Sequence, residues 1–354
     1  MSKILFVGGT FDTAGGKPSS VVAKIASYMK DVDLYNGGRY EDLNQILESA
    51  RLYQYVIWWA NVPNDLPKIR DVKEINPKVI LVTSKRNDNR KYSFAELINR
   101  ALLAKANLCV QFSKENDADY GLHRFSMLLF DPLGNEWYRG YDLQELASVM
   151  CSRMEYLSSI SRQGTVPCSD AVIDVPDEKE FFEIIKQHAD TFHHLINPAK
   201  GVTRFLGNSS FRCQRGFPSF RKDDVIFVSR RNVDKRYIDK DAFVPCRMDG
   251  DTIYYYGENK PSVDTPIQMR LYQHLPNINY MLHSHVYIDG APFTKNMVPC
   301  GGLQEVEEVL TAIYDKESDF IAINLIGHGS IVMAKNSAQL KNIQYIGRSL
   351  PEKL

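Results

Sequence analysis

Tyr280-Met281-Leu282-His283-Ser284-His285-Val286-Tyr287 decides how the second half of this chain is read. Side chains two apart on a β-strand face the same way, so a strand here presents His283 and His285 to one side. The run 278–287 has the apolar and β-branched character of a strand, and Pro276-Asn277 punctuates its start. A second apolar run, Phe320-Ile321-Ala322-Ile323-Asn324-Leu325-Ile326, ends in Gly327-His328-Gly329. Glycine on both sides of His328 permits a sharp turn that carries the ring back towards a partner. A His-x-His pair alone is more often ordinary surface or core; the third histidine after a strand shifts the balance. Three imidazoles with one position left open are the usual donor set of a catalytic zinc or similar divalent ion. His283, His285 and His328 are therefore the candidate metal ligands.

Around them stand Gly207-Asn208-Ser209-Ser210-Phe211-Arg212, Gly257-Glu258-Asn259-Lys260-Pro261-Ser262-Val263-Asp264-Thr265-Pro266, Val298-Pro299-Cys300 and Ile326-Gly327-His328-Gly329. In this order and at these intervals they resemble the class II aldolase/adducin family. That family has a Gly-Asn-x-Ser loop, a Pro-Ser-(Ser)-acid segment opening a helix, His-x-His, and a final Asn-His-Gly or similar. The resemblance runs from about Asp177 to the C-terminus. It is nearest the ribulose phosphate 4-epimerase and fuculose phosphate aldolase branch, and the Asp of Pro261-Ser262-Val263-Asp264 is similar to the epimerases, where Asp replaces the aldolases' Glu.

The resemblance implies an α/β/α domain with a mainly antiparallel sheet, assembled as a homo-oligomer, commonly a tetramer with sites at subunit interfaces. It implies Zn2+ or another divalent ion on His283, His285 and His328, polarising a hydroxy-ketone and stabilising an enediolate. Asp264 matches the family's acid/base or additional metal-contacting carboxylate. A carboxylate beside a metal stays ionised, so base or ligand fits better than acid; simple capping of the following helix is the plain alternative. Asn208, Ser210 and Ser262 match parts of the phosphate cradle, whereas Val263 replaces its second serine. Arg230 and Arg231 occupy the place of a Thr-Gly stretch and offer bidentate contacts to phosphate or carboxylate. For a second catalytic carboxylate, Asp289 and Glu305 are only weak candidates. The expected activity is metal-dependent retro-aldol cleavage (a lyase) of a sugar phosphate or related polyhydroxy carbonyl compound. Epimerase or dehydratase chemistry on the same site is the alternative, as is a non-catalytic adducin-like binding protein, against which retention of all three histidines counts.

The chain has 354 residues, which suggests two domains. They are expected at 1–157, a Rossmann-like α/β domain, and 177–354, the aldolase-like domain, with a Ser-, Gly- and Pro-rich linker at 158–176. Lys+Arg and Asp+Glu balance at 43 each, which gives no electrostatic argument for nucleic acid or an anionic membrane as partner. Six scattered cysteines suggest reduced thiols in a cytoplasm. No apolar run approaches membrane-spanning length, and Gly8-Gly9 close the first strand before it could serve as a signal peptide's core, so a soluble protein is expected.

In the first half, apolar runs at 3–9, 55–59, 78–82 and 107–112 alternate with helical patterns at 21–29, 40–53 and 93–106. Short strands are expected at 33–35 and 125–130. This alternation predicts a parallel α/β sheet. The carboxyl edge of such a sheet is where ligands bind. It carries the glycine-rich loop 9–20, the segment 61–67, and Lys85, Arg86, Arg90 and Lys91, which suggests either an anion site or, for Gly15-Gly16, a plain turn.

Overall fold

The structure, a computed structural model, describes residues 3–62, 78–86, 92–116, 123–169, 172–192, 204–212 and 225–347. Contacts divide the chain into two compact units, Met1–Ser159 and Ile160–Leu354.

In the first unit, β1 (Ile4–Asp12), β2 (Val32–Arg39), β3 (Tyr55–Asn61), β4 (Val79–Arg86) and β5 (Leu108–Asn116) run parallel. Two antiparallel strands, β6 (His123–Phe130) and β7 (Glu136–Gly140), extend the sheet in the order β2-β1-β3-β4-β5-β6-β7. The helices are α1 (Ser20–Ala26), α2 (Tyr40–Ser49), α3 (Phe94–Leu103) and α4 (Leu143–Ser159). Ile4-Leu5-Phe6-Val7 is apolar at every position because both sheet faces are covered. Ile4 and Phe6 pack with Val22 and Ile25 of α1 and Met150 of α4, while Leu5 and Val7 pack with Leu43 and Ile46 of α2. The strand β7 was not expected. It is antiparallel because the link 131–135 is too short for a crossover, which needs a dozen residues or more. That turn is held by Asp131 Oδ1, which accepts from the backbone N–H groups of Leu133 and Asn135.

The glycine-rich loop after β1 proves to be a turn fastened to itself and to the neighbouring strand β2. Gly16 N donates to Gly38 O at 2.8 Å, Thr10 N to Lys17 O at 2.9 Å, and Ser19 N to Asn36 Oδ1 at 2.8 Å. A Cβ on Gly16 would lie 1.8 Å from Thr10 O, so glycine serves the close approach of the chain to itself. These N–H groups are spent on the loop's own Lys17 carbonyl and on acceptors of β2 rather than offered to an anion. Arg90, Lys91 and residues 63–67 of the same edge lie outside the described residues.

In the second unit the elements are β8 (Val166–Cys168), α5 (Lys179–Gln187), α6 (Ala189–Phe192), β9 (Asn208–Arg212), β10 (Ile226–Ser229), β11 (Phe243–Asp249), β12 (Thr252–Tyr256), α7 (Thr265–His274), β13 (Tyr280–Ser284), β14 (Tyr287–Ile288), α8 (Gln304–Ala312), β15 (Phe320–Leu325), β16 (Gly329–Ala334) and β17 (Tyr345–Gly347). The main sheet has the order β15-β16-β13-β9-β10-β11-β12-β8. Every pairing in it is antiparallel except β12 with β8. The stretch expected as a linker, 158–176, thus contributes an edge strand, and Ser161 O accepts from Leu303 N at 2.9 Å. The strands β11 and β16 were not expected. The helix expected from 177 to about 195 stops at Gln187 instead. His188 leaves helical geometry (φ −95°, ψ 5°) and its Nε2 donates to the Leu340 carbonyl at 3.0 Å. His193, His194 and Cys213 lie outside the described residues.

Alternation along β13 sets the layers. Tyr280 and Leu282 join Phe181, Phe182 and Phe192 on one face; Met281 joins Leu271, Tyr272 and Val309 on the other. His283, two beyond Met281, therefore faces the α7–α8 layer, paired across the sheet with Asn208 and Ile331. On that same face of β9, Arg212 donates to the carbonyls of Tyr272 at 3.3 Å and Leu275 at 3.1 Å and to that of Pro276, at the carboxyl end of α7. On the opposite face Phe211 is fully buried, 5.0 Å from Phe227, 5.1 Å from Phe243 and 5.9 Å from Phe181 by ring centroid. Phe211→Ala is expected to destabilise the second unit by about 3–5 kcal/mol, since the surrounding rings cannot all close the void. Urea denaturation of variant and parent measures the difference.

Candidate metal centre

The strand β13 ends at Ser284, so His285 lies just beyond it and not on the long strand that the sequence suggested. Its ring is brought in by the missing side chain of Gly329 (φ +153°). A Cβ there would meet Ser284 O at 2.0 Å and His285 Cα at 2.7 Å. Ring centroids of His283, His285 and His328 are 4.7–5.3 Å apart, and one nitrogen from each falls within 4.8 Å of the others. All three are buried.

At His283 the hydrogen bonding leaves a nitrogen lone pair for a metal. His283 Nδ1–H donates to Ser330 O at 2.9 Å, which leaves Nε2 as the acceptor, and that buried atom has no hydrogen-bond partner among the described residues. Burial, helped by the nearby His328, lowers the His283 pKa to about 4, so the ring is neutral at pH 7. His328 is held on both nitrogens by one turn: Glu305 Oε2 accepts from Nδ1 at 2.6 Å, and Cys300 Sγ lies 3.1 Å from Nε2. Burial alone would lower the His328 pKa, but Cys300 and Glu305 outweigh it and hold the ring well above its ordinary value. A neutral imidazole at His283 with an orphaned nitrogen, and a carboxylate behind His328, fit a divalent ion; carboxylate-backed histidines recur at such centres. The three imidazoles could hold one.

Asp264 stands at the N-cap position of α7 but makes no capping hydrogen bond with its side chain. Its Oδ2 accepts from Asn208 Nδ2 at 2.7 Å and Ser262 Oγ at 3.4 Å, and its Oδ1 from Gly301 N at 2.9 Å. The plain capping alternative is therefore set aside. Gln268 donates to Asn208 Oδ1 and so orients that amide. Asn208, Ser262 and Asp264 are thus brought together. Ser210 is not joined to them by a hydrogen bond of its hydroxyl, which pairs instead with Tyr272 Oη at 3.1 Å between β9 and α7. Arg231 Nε donates to Pro261 O at 2.9 Å, next to Ser262; burial lowers the pKa of this guanidinium, and the Asp264 carboxylate opposes that effect. Arg230 is exposed, with its backbone bridged to Pro261. Asp289 is exposed.

Sequence reasoning passed over Lys235, because Asp234-Lys235-Arg236 reads as a solvated charge run. Instead Lys235 is 1% exposed, with Nζ donating to Leu206 O at 2.8 Å and Gly207 O at 2.7 Å. Gly207 (φ +69°) has no room for a Cβ, which would lie 2.5 Å from His283 O. The lysine thus fixes the turn that delivers Asn208. Glu305 carried a weaker signal, an acid shortly after Val-Pro-Cys, and Cys300 carried only the motif itself.

Residues 187–291 match the family described as Class II Aldolase and Adducin N-terminal domain. The match takes in Asn208, Asp264, His283 and His285, so the second half carries a class II aldolase-like segment. Among solved structures, YgbL of Klebsiella pneumoniae, grouped with aldolases, epimerases and decarboxylases, is 13% identical over 46% of this chain and 81% of its own, with TM-score 0.31. L-fuculose 1-phosphate aldolase is 18% identical over 47% and 77%, with TM-score 0.33. A DNA/pantothenate metabolism flavoprotein of Streptococcus pneumoniae is 13% identical over 44% and 100%, with TM-score 0.32. No curated protein matches. No helix among the described residues is long and apolar enough to cross a membrane.

Two outcomes follow from this geometry. Glu305→Gln keeps the shape but weakens the grip on His328 Nδ1, so divalent-ion affinity is expected to fall about 10–100-fold; titration against a chelating dye reads it. Burial lowers the Lys235 pKa from its ordinary 10.5 to about 7. Between those values the unfolded chain binds a proton that the folded one does not, so stability rises with pH through that window and is lost as pH falls through 7. In Lys235→Met that contribution is expected to vanish, which melting curves of both proteins from pH 7 upward would show as a smaller gain for the variant.

Proposed function

We propose that the second unit is a metal-dependent lyase that cleaves a sugar phosphate or related polyhydroxy carbonyl compound by retro-aldol chemistry. The supporting observation is the burial of three convergent imidazoles, His283, His285 and His328, within 4.8 Å of one another. The family description of residues 187–291 agrees with it. Zinc is the ion expected, and assembly as a homo-oligomer belongs to the same reading.

When bound, a divalent ion would supply Lewis-acid polarisation of the substrate carbonyl. The chain's own residues do the rest. Neutral His283 presents a lone pair at Nε2 because Ser330 O holds its Nδ1 proton. Asp264 is the proposed base, taking the substrate's hydroxyl proton at Oδ2, where the bond from Ser262 is long at 3.4 Å. Asn208 and the Gly301 N–H keep the carboxylate aimed while that proton moves. Ser262 and Arg231 are proposed to hold the substrate's anionic end, a guanidinium giving a bidentate contact that lysine cannot.

Purified protein is expected to carry about one ion per chain by elemental analysis, consistent with one set of three histidine donors. On a panel of ketose and aldose phosphates it should release an aldehyde and a three- or two-carbon phosphate product. Asp264→Asn should retain the ion yet lose about 10²–10⁴-fold in turnover. Undiminished turnover in that variant, or equal metal in a His283→Ala, His285→Ala double variant, would overturn the reading.

A further inference from the structure

We propose that Tyr287 and Thr294 are positioning residues for the metal centre: their hydroxyls tie the turn that carries His328 to the stretch of chain that leaves His285. This rests on reading the three histidines as a metal centre. The strands β15 and β16 join through a tight turn in which His328 N donates to Leu325 O at 2.9 Å, with Ile326 and Gly327 at its centre. Gly327 has φ +69°, the left-handed conformation that suits glycine at the second central position. The N–H groups of two such central residues find no acceptor within the turn and ordinarily face water. Here Gly327 is buried and Ile326 half-buried, so both N–H groups need acceptors from elsewhere.

Two side chains of one loop supply them. Ile326 N donates to Thr294 Oγ1 at 3.0 Å, and Gly327 N donates to Tyr287 Oη at 2.9 Å. The Thr294 hydroxyl proton goes to Asn296 O at 3.4 Å, which leaves lone pairs on Oγ1 for Ile326. Tyr287 is fully buried, with its ring centroid 5.0 Å from that of Phe293, so its hydroxyl is fixed by packing. The loop is pinned to β15 in turn. Asn324 Oδ1 accepts from Ile288 N at 2.8 Å, and its Nδ2 donates to Ile288 O at 2.9 Å and Ala291 O at 3.0 Å. The backbone of Asn324 adds bonds to Pro292 O and Thr294 N, both at 2.8 Å. Tyr287 lies two residues beyond His285, and Gly327 directly precedes His328. One hydroxyl thus joins the chain segments of two ligands. Glu305 orients the His328 ring, whereas Tyr287 and Thr294 place its backbone.

The test is competition for Zn2+ between the full-length protein and a chelating dye, at a temperature where melting curves show each metal-free variant folded. Tyr287→Phe and Thr294→Val keep the shape of the side chain and remove the acceptor. Each is expected to bind Zn2+ about 10-fold or more weakly than the parent, as for other contacts that orient ligating histidines. Thr294→Ser keeps the hydroxyl and is expected to match the parent. Parent-like affinity in folded Tyr287→Phe or Thr294→Val overturns the assignment, even with a lowered melting temperature, because lost packing alone gives that result. A loss in Thr294→Ser as large as in Thr294→Val overturns it too. Both outcomes leave the three-histidine centre standing. Should one of the two acceptor-deleting variants not fold, the other decides. Failure of the parent to bind Zn2+ overturns the centre itself, and the positioning role with it.

Discussion

The grip of one turn on both nitrogens of His328 is the constraint on which the centre depends. An imidazole free to rotate presents either nitrogen, and a buried one with an unsatisfied N–H costs stability. Glu305, at the start of α8, settles the question by accepting from Nδ1 at 2.6 Å. Cys300, five residues earlier, rests on the other nitrogen. Because both come from the same bend, the ring's orientation is tied to where α8 begins. His283 is settled differently, by a backbone carbonyl of the neighbouring strand. For His285, the absent side chain of Gly329 leaves the space in which the chain passes close behind it.

From that turn the order passes outward through polar contacts. Gly301 binds Asp264, Asp264 binds Asn208, and Asn208 follows the turn that Lys235 secures by two carbonyls. Each member is buried or nearly so, and in such surroundings hydrogen bonds are both stronger and more costly to leave unmade. The apolar packing beneath is conventional: aromatic rings on one sheet face, aliphatic side chains on the other. What distinguishes the carboxyl end of β13 is the concentration of polar groups that the sheet would otherwise exclude.

Much of this was legible in the sequence. The apolar runs named most strands of the first unit, because strands covered on both faces leave no polar interruption. The three histidines were legible from spacing and glycine flanks, although the reason His285 turns inward was not. A period-two argument needs a strand, and the strand stops one residue short. Asp264 stood out from its motif, but whether its carboxylate capped the helix depended on Asn208, fifty-six positions away. Lys235 was hidden by its charged neighbours, since burial of a lysine is decided by partners on other elements. The strands β11 and β16 were missed for a related reason: their ladder partners, not their local patterns, define them. The glycine-rich loop after β1 suggested an anion cradle, yet its N–H groups are consumed by Gly38 O, Lys17 O and the Asn36 side chain.

Helix α7 is fastened to β9 at both of its ends. Asn208, first residue of the strand, holds Asp264 at the helix start, and Arg212, the last, holds the carbonyls of Tyr272 and Leu275 at its finish. Ten helical residues rise about 15 Å, and the four steps along β9 span about 13 Å. The two elements therefore measure one another like a rod between two fixed pins. A residue added to or removed from α7 would swing one anchor by about 100° and slide it by about 1.5 Å, so that one clasp could close only if the other opened. The length of this helix is as much a part of the centre as any side chain that lines it.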